Sequence, residues 1–185
     1  MNIKVFALHG TLDLDECIEN IEGTASFRVI LASAVADSSL TIPDCRFVVD
    51  LCRLNEVRWH VERLDNAPAL RWASKSVCEQ RRGRTGRTCH GEVYRLVPRG
   101  LFDRFPEWEV PQIKLSNLQK EVLDLICCKE LFSSDAESIL QSCMDPPDKS
   151  VVSAAYSALE RIGAVERDPR TCKYMPSDYG KLLSR

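Results

Sequence analysis

Short β-branched runs alternate with helix-like segments over the first hundred residues, and this alternation constrains the fold more than any other feature. Residues 5–8, 28–32 and 47–49 form apolar runs that predict strands, of the kind buried on both faces of a parallel sheet. Strands that alternate with helices indicate an α/β domain with a mainly parallel sheet. We assign this domain to residues 1–110.

Further elements are predicted within that domain. Two strand-like runs over residues 54–73 lie on either side of the turn-forming pair at 65–66, and together they predict a β-hairpin. Residues 14–21 predict an acidic helix, residues 74–80 a helix that leads into an Arg-rich segment, and residues 91–97 a returning strand.

The pattern changes to a helical period near residue 110, after a connector framed by Pro106 and Pro111. Two residue pairs have the spacing of a capping box, Ser116 with Gln119 and Ser134 with Glu137. Apolar residues at helical spacing predict three helices, and the turn at 168–170 predicts a two-stranded ribbon after them. Three helices followed by a ribbon predict a winged-helix domain, with the start of a further helical region, over residues 111–185.

Composition excludes several classes of protein. With 44% hydrophobic and 28% charged residues, the chain resembles soluble globular proteins, and its apolar runs are shorter than the roughly 18 residues of a membrane span. The first ten residues lack the pattern of a signal peptide. We therefore expect an intracellular protein, nuclear or cytoplasmic, with no membrane partner.

Nine cysteines raise the question of a metal site. No C-x-x-C pair occurs, and the three histidines, His9, His60 and His90, are scattered along the chain. Because zinc sites are usually built from such close pairs, we predict no metal site, and we expect reduced, buried thiols.

Arginines are concentrated between residues 80 and 100, although the net charge of the chain is only −2. Arg84 and Arg87 are three residues apart, which predicts that they emerge on one side of a helical turn, and Gly83 and Gly86 would let a phosphate approach the backbone. Guanidinium groups suit the charge of a phosphoryl transition state. On spacing alone, a solvated basic loop explains the segment equally well.

Four segments, in order, resemble motifs of DEAH-type RNA helicases. Residues 80–87, QRRGRTGR, match the motif VI pattern Q-R-x-G-R-x-G-R, and residues 32–42, ASAVADSSLTI, resemble motif V, A-T-N-I-A-E-T-S-L-T-I. Residues 7–12, ALHGTL, resemble the L-H-S-S-L segment, and residues 144–147, MDPP, resemble the same phrase in the family's winged helix. The chain thus resembles the second RecA-like motor domain of this family with its winged helix. Plant members that also carry CCCH zinc fingers look most similar.

The resemblance implies a nucleotide site shared with a first motor domain, which would hold most of the ATP and its Mg²⁺. Arg84 and Arg87 would be arginine fingers that reach the terminal phosphates, and Gln80 would help to place the attacking water. Thr41 and Gly83 would lie on the nucleotide side.

The resemblance also implies contacts with RNA. The residues that would touch RNA phosphate or ribose are Gly10, Thr11, Ser33 and Ser39. Such backbone contacts do not select a base sequence. The hairpin over residues 54–73 would be the strand-separating hairpin. Its Trp59 and Trp72 would serve either as wedges or, as we favour, as groups that pack against a neighbouring domain.

Several positions depart from the family pattern. Ser33 and Ala34 replace Thr and Asn in motif V. Ile21 stands where many members place a Phe that stacks on adenine, and Pro43 stands where an Asp lies near the ribose. These changes predict loose base selectivity or a degenerate motor, while the phosphate-facing residues are intact.

No G-x-x-x-x-G-K-[ST] and no D-E-x-H occur in the 185 residues. The phosphate cradle and the Mg²⁺ carboxylate must therefore come from a first motor domain, in cis or in trans. We expect a partial ATP-dependent RNA helicase, a fragment or truncated product that does not hydrolyse ATP alone. The alternative is a non-catalytic RNA-binding or regulatory module. A free winged-helix DNA-binding protein is disfavoured, because the third helix carries few charges.

Overall fold

The structure is a computed structural model that describes residues 3–11, 21, 27–37, 42, 44–128 and 135–184. The chain divides into two compact units. Unit 1 comprises Met1–Asn55 and Leu70–Glu109, and unit 2 comprises Glu56–Ala69 and Val110–Arg185. The assignment of two domains that meet at residue 110 stays a prediction.

The elements up to residue 109 alternate between strands and helices. In chain order they are β1 (Ile3–Leu8), β2 (Phe27–Ala32), a 3₁₀ helix (Ala34–Asp37), β3 (Phe47–Asp50), β4 (Arg53–His60), β5 (Asp65–Trp72), α1 (Lys75–Arg82), β6 (Glu92–Arg95) and α2 (Arg99–Phe102). The elements that follow are a 3₁₀ helix (Gln112–Lys114), α3 (Gln119–Cys127), α4 (Ala136–Gln141), α5 (Lys149–Arg161), β7 (Val165–Arg167), β8 (Tyr174–Pro176) and α6 (Asp178–Leu183).

Two pairs of strands are parallel. β1 pairs with β2 along its whole length, with Leu8 opposite Ala32. β3 pairs in the same way with β6, with Asp50 opposite Arg95. Parallel strand pairs in a unit that also contains helices confirm the predicted α/β class.

The strands are less buried than we predicted from their β-branched sequences. Leu31 of β2 and Val49 of β3 are 63% and 62% exposed, so the prediction of burial on both faces is wrong for them. In the part of the chain that the structure describes, each of these strands pairs with a single neighbour. Much of their apolar surface therefore has no described element over it.

The hairpin consists of β4 and β5, which form a two-stranded sheet. Its turn covers residues 61–64, and Leu64 adopts a left-handed conformation with φ 55°. The predicted turn at 65–66 is wrong, because both residues already belong to β5. The predicted acidic helix at 14–21 lies outside the described residues, except for Ile21.

Unit 2 has an apolar core to which α3, α4, α5 and β7 contribute. Its buried residues include Val122, Ile126, Leu140, Val152, Leu159 and Val165. α5 is followed by Gly163 in a left-handed conformation, φ 71°, and the antiparallel ribbon of β7 and β8 follows. Three helices and a ribbon thus occur in the predicted order, while membership of the winged-helix class stays a prediction.

The capping predictions for these helices need correction. Ser116 does not cap α3, because its hydroxyl donates to the Gln112 carbonyl at 3.0 Å. The N–H of Gln119 instead donates to Oδ1 of Asn117 at 3.2 Å. α4 is capped by Asp135, while Ser134 lies outside the described residues.

None of the helices in the described ranges is both long enough and apolar enough to cross a membrane.

Candidate functional site

Three residues predicted to contact RNA lie at one edge of the β1–β2 pair. Because these strands are parallel, their carboxyl ends meet there, and the N–H of Ser33 donates to the Leu8 carbonyl at 3.0 Å. The turn at Gly10 and Thr11 follows β1 at the same edge, and both residues are exposed, as is Ser33. Ser39 lies outside the described residues. The sheet therefore brings together an exposed hydroxyl pair and an open backbone turn.

The helix α1 leads into the Arg-rich segment. It begins at a cap in which Ser74 Oγ accepts from the N–H of Val77 at 3.2 Å, and the N–H of Ser74 donates to Glu109 at 2.6 Å. Val77 and Cys78 anchor its buried face. At the carboxyl end of α1, the N–H of Gly83 donates to the carbonyls of Glu79 and Arg81.

Arg84 and Arg87 do not share a helical turn, so that prediction is wrong. α1 ends at Arg82, and the following residues form a turn and a series of bends. Gly86 has φ 77°, a left-handed conformation that glycine adopts without steric cost. Both arginines therefore lie in a loop directly after the helix, where Arg84 is half-buried and Arg87 is exposed.

Arg81 is the centre of an ion-pair network. Its guanidinium donates to both carboxylate oxygens of Asp37, at 2.9 and 3.0 Å, and to Oδ1 of Asp50 at 2.9 Å. It also donates to the Arg53 carbonyl at 3.1 Å. Burial would lower the pKa of Arg81, but the hydrogen bonds and charges of Asp37 and Asp50 outweigh burial and raise that pKa above its ordinary value. Arg81 therefore stays charged and is held in one direction.

This network joins the two segments that resemble motifs V and VI. Asp37 is the last residue of the 3₁₀ helix that follows Ser33. Arg84 Nη2 donates to the backbone carbonyl of Asp37 at 2.6 Å. Arg87 Nε donates to the Gly83 carbonyl at 2.8 Å. Gln80 is exposed on α1. The predicted phosphate-facing residues thus lie in the last turn of α1 and in the loop after it, and one of them, Arg84, is bonded to motif V.

Of the other positions considered for nucleotide binding, the structure describes only Ile21. Thr41 and Pro43 lie outside the described residues. Ile21 is buried, and Arg28 donates to its carbonyl at 2.6 Å. Ile21 therefore presents no exposed apolar face on which a base could stack.

Trp72 of the hairpin packs within unit 1. Its ring stacks on Phe105 with 5.5 Å between centroids, and the Arg53 guanidinium lies over it at 3.4 Å. Trp59 is half-buried, and its backbone N–H donates to the Leu115 carbonyl at 2.7 Å. The ring contacts of Trp72 are packing contacts within unit 1, and packing of either tryptophan against a neighbouring domain stays a prediction.

Residues 1–89 match the family model described as the helicase conserved C-terminal domain. This part of the chain is similar to that family. The matched range includes the β1–β2 edge, the Arg81 network and the loop that carries Arg84 and Arg87.

Two curated relatives align with nearly the whole chain. It is 42% identical over 184 residues to the DExH-box ATP-dependent RNA helicase DExH8 of Arabidopsis thaliana, covering 99% of this chain and 18% of that protein. It is 40% identical over 184 residues to zinc finger CCCH domain-containing protein 4 of Oryza sativa subsp. japonica, covering 98% and 18%. These matches confirm the predicted resemblance. The chain spans less than a fifth of the length of either relative.

Crystal structures of a bacterial helicase share the fold. The Escherichia coli DEAH/RHA helicase HrpB aligns with a TM-score of 0.83 and 24% identity, covering 100% of this chain and 22% of that one. The E. coli DExH-box NTPase HrpB aligns with a TM-score of 0.80 and 24% identity, covering 98% and 21%. The chain therefore has the fold of part of a DEAH helicase.

Sequence reasoning missed the network that organises this helicase C-terminal domain. Arg81 belongs to the motif VI pattern but received no role, and Asp37 and Asp50 lie 44 and 31 residues away from it. One signal was available, because Asp50 is a charged residue at the end of an apolar strand. A buried carboxylate requires a partner, and a nearby arginine is the usual one.

Donors that could hold a metal lie beside the same network. An oxygen of Asp50 and the Sγ atoms of Cys52 and Cys78 lie within 4.8 Å of one another, and all three residues are buried. Burial, and then the charge of Asp50, raises the pKa of both thiols.

Proposed function

We propose that this chain is the second motor domain and the winged helix of an ATP-dependent RNA helicase, with the domains at residues 1–110 and 111–185. A first motor domain, in cis or in trans, would hold ATP and Mg²⁺. Arg84 and Arg87 would supply positive charge to the terminal phosphates. The observation that carries the proposal is the Arg81 network, which anchors the helix from which both arginines follow.

The Arg81 network fixes the position of the helix end from which the loop with Arg84 and Arg87 begins. Asp37 and Asp50 hold Arg81 near the end of α1, so the loop beginning at Gly83 leaves the helix from a defined position. Guanidinium groups stabilise a phosphoryl transition state only when they are positioned before the reaction. Gln80, one turn earlier, is exposed on the same helix and would orient the attacking water. Thr41 would approach the nucleotide from motif V.

The β1–β2 edge suits the backbone of RNA. Gly10, Thr11 and Ser33 offer hydroxyls and an open backbone turn, which bind phosphate and ribose without reading bases. Ser39 would extend this surface. The hairpin of β4 and β5 would separate strands, with its tryptophans as packing groups.

The finger role is tested in the full-length protein that carries a first motor domain. Arg84→Ala and Arg87→Ala should each lower RNA-stimulated ATPase by about 10³-fold, the usual contribution of an arginine finger. Arg82→Ala is the matched control. Arg82 lies in the same motif but pairs with Glu79 on the surface, so its removal should change the rate by less than about tenfold. Losses below about tenfold for both fingers would contradict the role.

A second candidate function is a non-catalytic RNA-binding module. The burial of Ile21 and the presence of Ala34 in motif V favour it, because both weaken contacts of a working motor. The same ATPase assay discriminates between the two. A full-length protein that binds RNA but shows no RNA-stimulated hydrolysis supports the module and contradicts the motor.

A further inference from the structure

A compact group of metal-binding atoms lies beneath the motif VI helix. Asp50 ends β3, Cys52 follows two residues later, and Cys78 lies in α1. One potential ligand atom from each residue lies within 4.8 Å of the other two. Among the described residues, this is the group of three His, Cys, Asp or Glu side chains whose ligand atoms are that close together. Asp50 is 3% exposed and both cysteines are 0% exposed. The donors therefore face one another and not the solvent.

The two oxygens of Asp50 are used differently. Oδ1 accepts from Arg81 Nη1 at 2.9 Å and from the N–H of Cys52 at 2.8 Å. Oδ2 is buried, and in the described part of the chain the thiols of Cys52 and Cys78 are the donors close to it. Thiols are weak hydrogen-bond donors, so a buried carboxylate oxygen between two of them would be better satisfied by a thiophilic cation.

We propose that Asp50, Cys52 and Cys78 form a binding site for a thiophilic divalent cation of the Zn²⁺ class. Two thiolates and one carboxylate oxygen are a donor set that zinc accepts, and the fourth tetrahedral position falls to a ligand such as water. Binding displaces the two thiol protons to solvent and changes no oxidation state. Arg81 then orients the ligating carboxylate through Oδ1, as outer hydrogen bonds do in metal sites.

The charges around the site favour a cation. The carboxylates of Asp37 and Asp50 lie beside the site, and Arg81 bridges them. The thiols are protonated until a metal binds, and the charge of a divalent ion then offsets the two thiolates that form. Because the donors link the end of β3 to α1, the ion would brace the helix that precedes Arg84. The proposal does not depend on ATP hydrolysis or on RNA.

The test uses the 185-residue chain, purified under reducing conditions and stripped with a chelator. Titration with Co²⁺ should give a thiolate-to-cobalt charge-transfer band that saturates at one equivalent, and Zn²⁺ should displace the cobalt. Cys52→Ser and Cys78→Ser should each weaken binding by at least about tenfold and remove most of the band. The matched control is Cys128→Ser with Cys143→Ser, which removes two exposed thiols and should leave the titration unchanged.

Two results overturn the proposal. One is a wild-type titration that shows no stoichiometric band, and the other is a band that survives in folded Cys52→Ser and Cys78→Ser. A measurement on the wild-type chain covers the case in which those variants do not fold. Zn²⁺, but not Mg²⁺, should slow alkylation of Cys52 and Cys78 in mild denaturant, with Cys128 as the internal reference. Equal slowing at all three cysteines, or at none, also overturns the site.

Discussion

Each of the two units is stabilised internally by a different kind of interaction. Unit 2 contains a continuous cluster of buried aliphatic residues drawn from three helices and a strand. In the described part of unit 1 the apolar cluster is smaller and includes two cysteines and an alanine, while the buried Asp50 and its partner Arg81 form a directional ion pair. Apolar burial is not directional, whereas charge-assisted hydrogen bonds fix the orientation of a group. Unit 1, to which our proposal assigns the arginine fingers, is thus the unit that contains the directional ion pairs.

The apolar core of unit 2 should show the largest loss of stability. Leu159→Ala removes a side chain that is 3% exposed and should lower the free energy of unfolding by about 2–5 kcal/mol. Denaturant unfolding, followed by hydrogen exchange in each unit, measures the loss. Leu182→Ala is the control, since Leu182 is 64% exposed and should change stability by less than about 0.5 kcal/mol. A loss below about 1 kcal/mol for Leu159→Ala would refute the comparison.

The ion-pair network should be the next most sensitive feature. Arg81→Met leaves Asp50 buried without its cation and should cost about 2–3 kcal/mol, somewhat less than a fully buried pair because Arg81 and Asp37 partly reach solvent. Arg82→Met disrupts only the surface pair with Glu79 and should cost less than about 1 kcal/mol. Denaturant unfolding measures the loss of unfolding free energy in each variant. Equal losses would show that the Arg81 network stabilises unit 1 no more than a surface ion pair does.

The motif VI loop should respond to a single added methyl group. In Gly91→Ala the new Cβ would lie 1.9 Å from Thr85 Oγ1 and 2.7 Å from the Gly86 nitrogen, so the loop must shift at a cost of about 1–2 kcal/mol. Gly100→Ala is the control, because nothing lies within 4 Å of its added Cβ. In the full-length protein, Gly91→Ala should also lower RNA-stimulated ATPase. An unchanged rate and stability would mean that the loop position does not matter.

The smallest effect should appear at alkaline pH in unit 2. Burial, and then the charges of Asp135 and Glu137, raise the pKa of Tyr156 to about 12. The folded state therefore holds this proton more tightly than the unfolded state, whose phenol titrates near 10. The stabilisation is complete below pH about 10 and is lost as pH rises toward 12.

Tyr156→Phe removes this contribution, so its unfolding free energy should fall less steeply above pH 10 than that of the wild type. Urea unfolding at a series of alkaline pH values measures the slopes. Tyr179→Phe, at an exposed position, should leave the slope unchanged. Identical slopes for the wild type and Tyr156→Phe would contradict the raised pKa.

Motifs and elements built from neighbouring residues were predictable. The QRRGRTGR segment was identified from its own residues, and the strands near β1, β2 and β3 followed from short apolar runs. Predictions that needed backbone detail were less accurate. The hairpin turn covers residues 61–64, directly before the pair at 65–66. The box at Ser116 is not formed, because Leu118 enters a left-handed conformation before α3.

The amino-acid sequence alone determined the α/β class and the resemblance to DEAH-type helicases, because both depend on short-range patterns of apolar spacing and motif residues. Only the tertiary structure decided that Arg81 binds Asp37 and Asp50, and that Cys52 meets Cys78 beside the same carboxylate. These partners are separated by 26 to 44 residues along the chain, and the pairing of strands and the packing of α1 bring them together. Contacts of that kind depend on how distant segments meet, which local residue patterns do not specify.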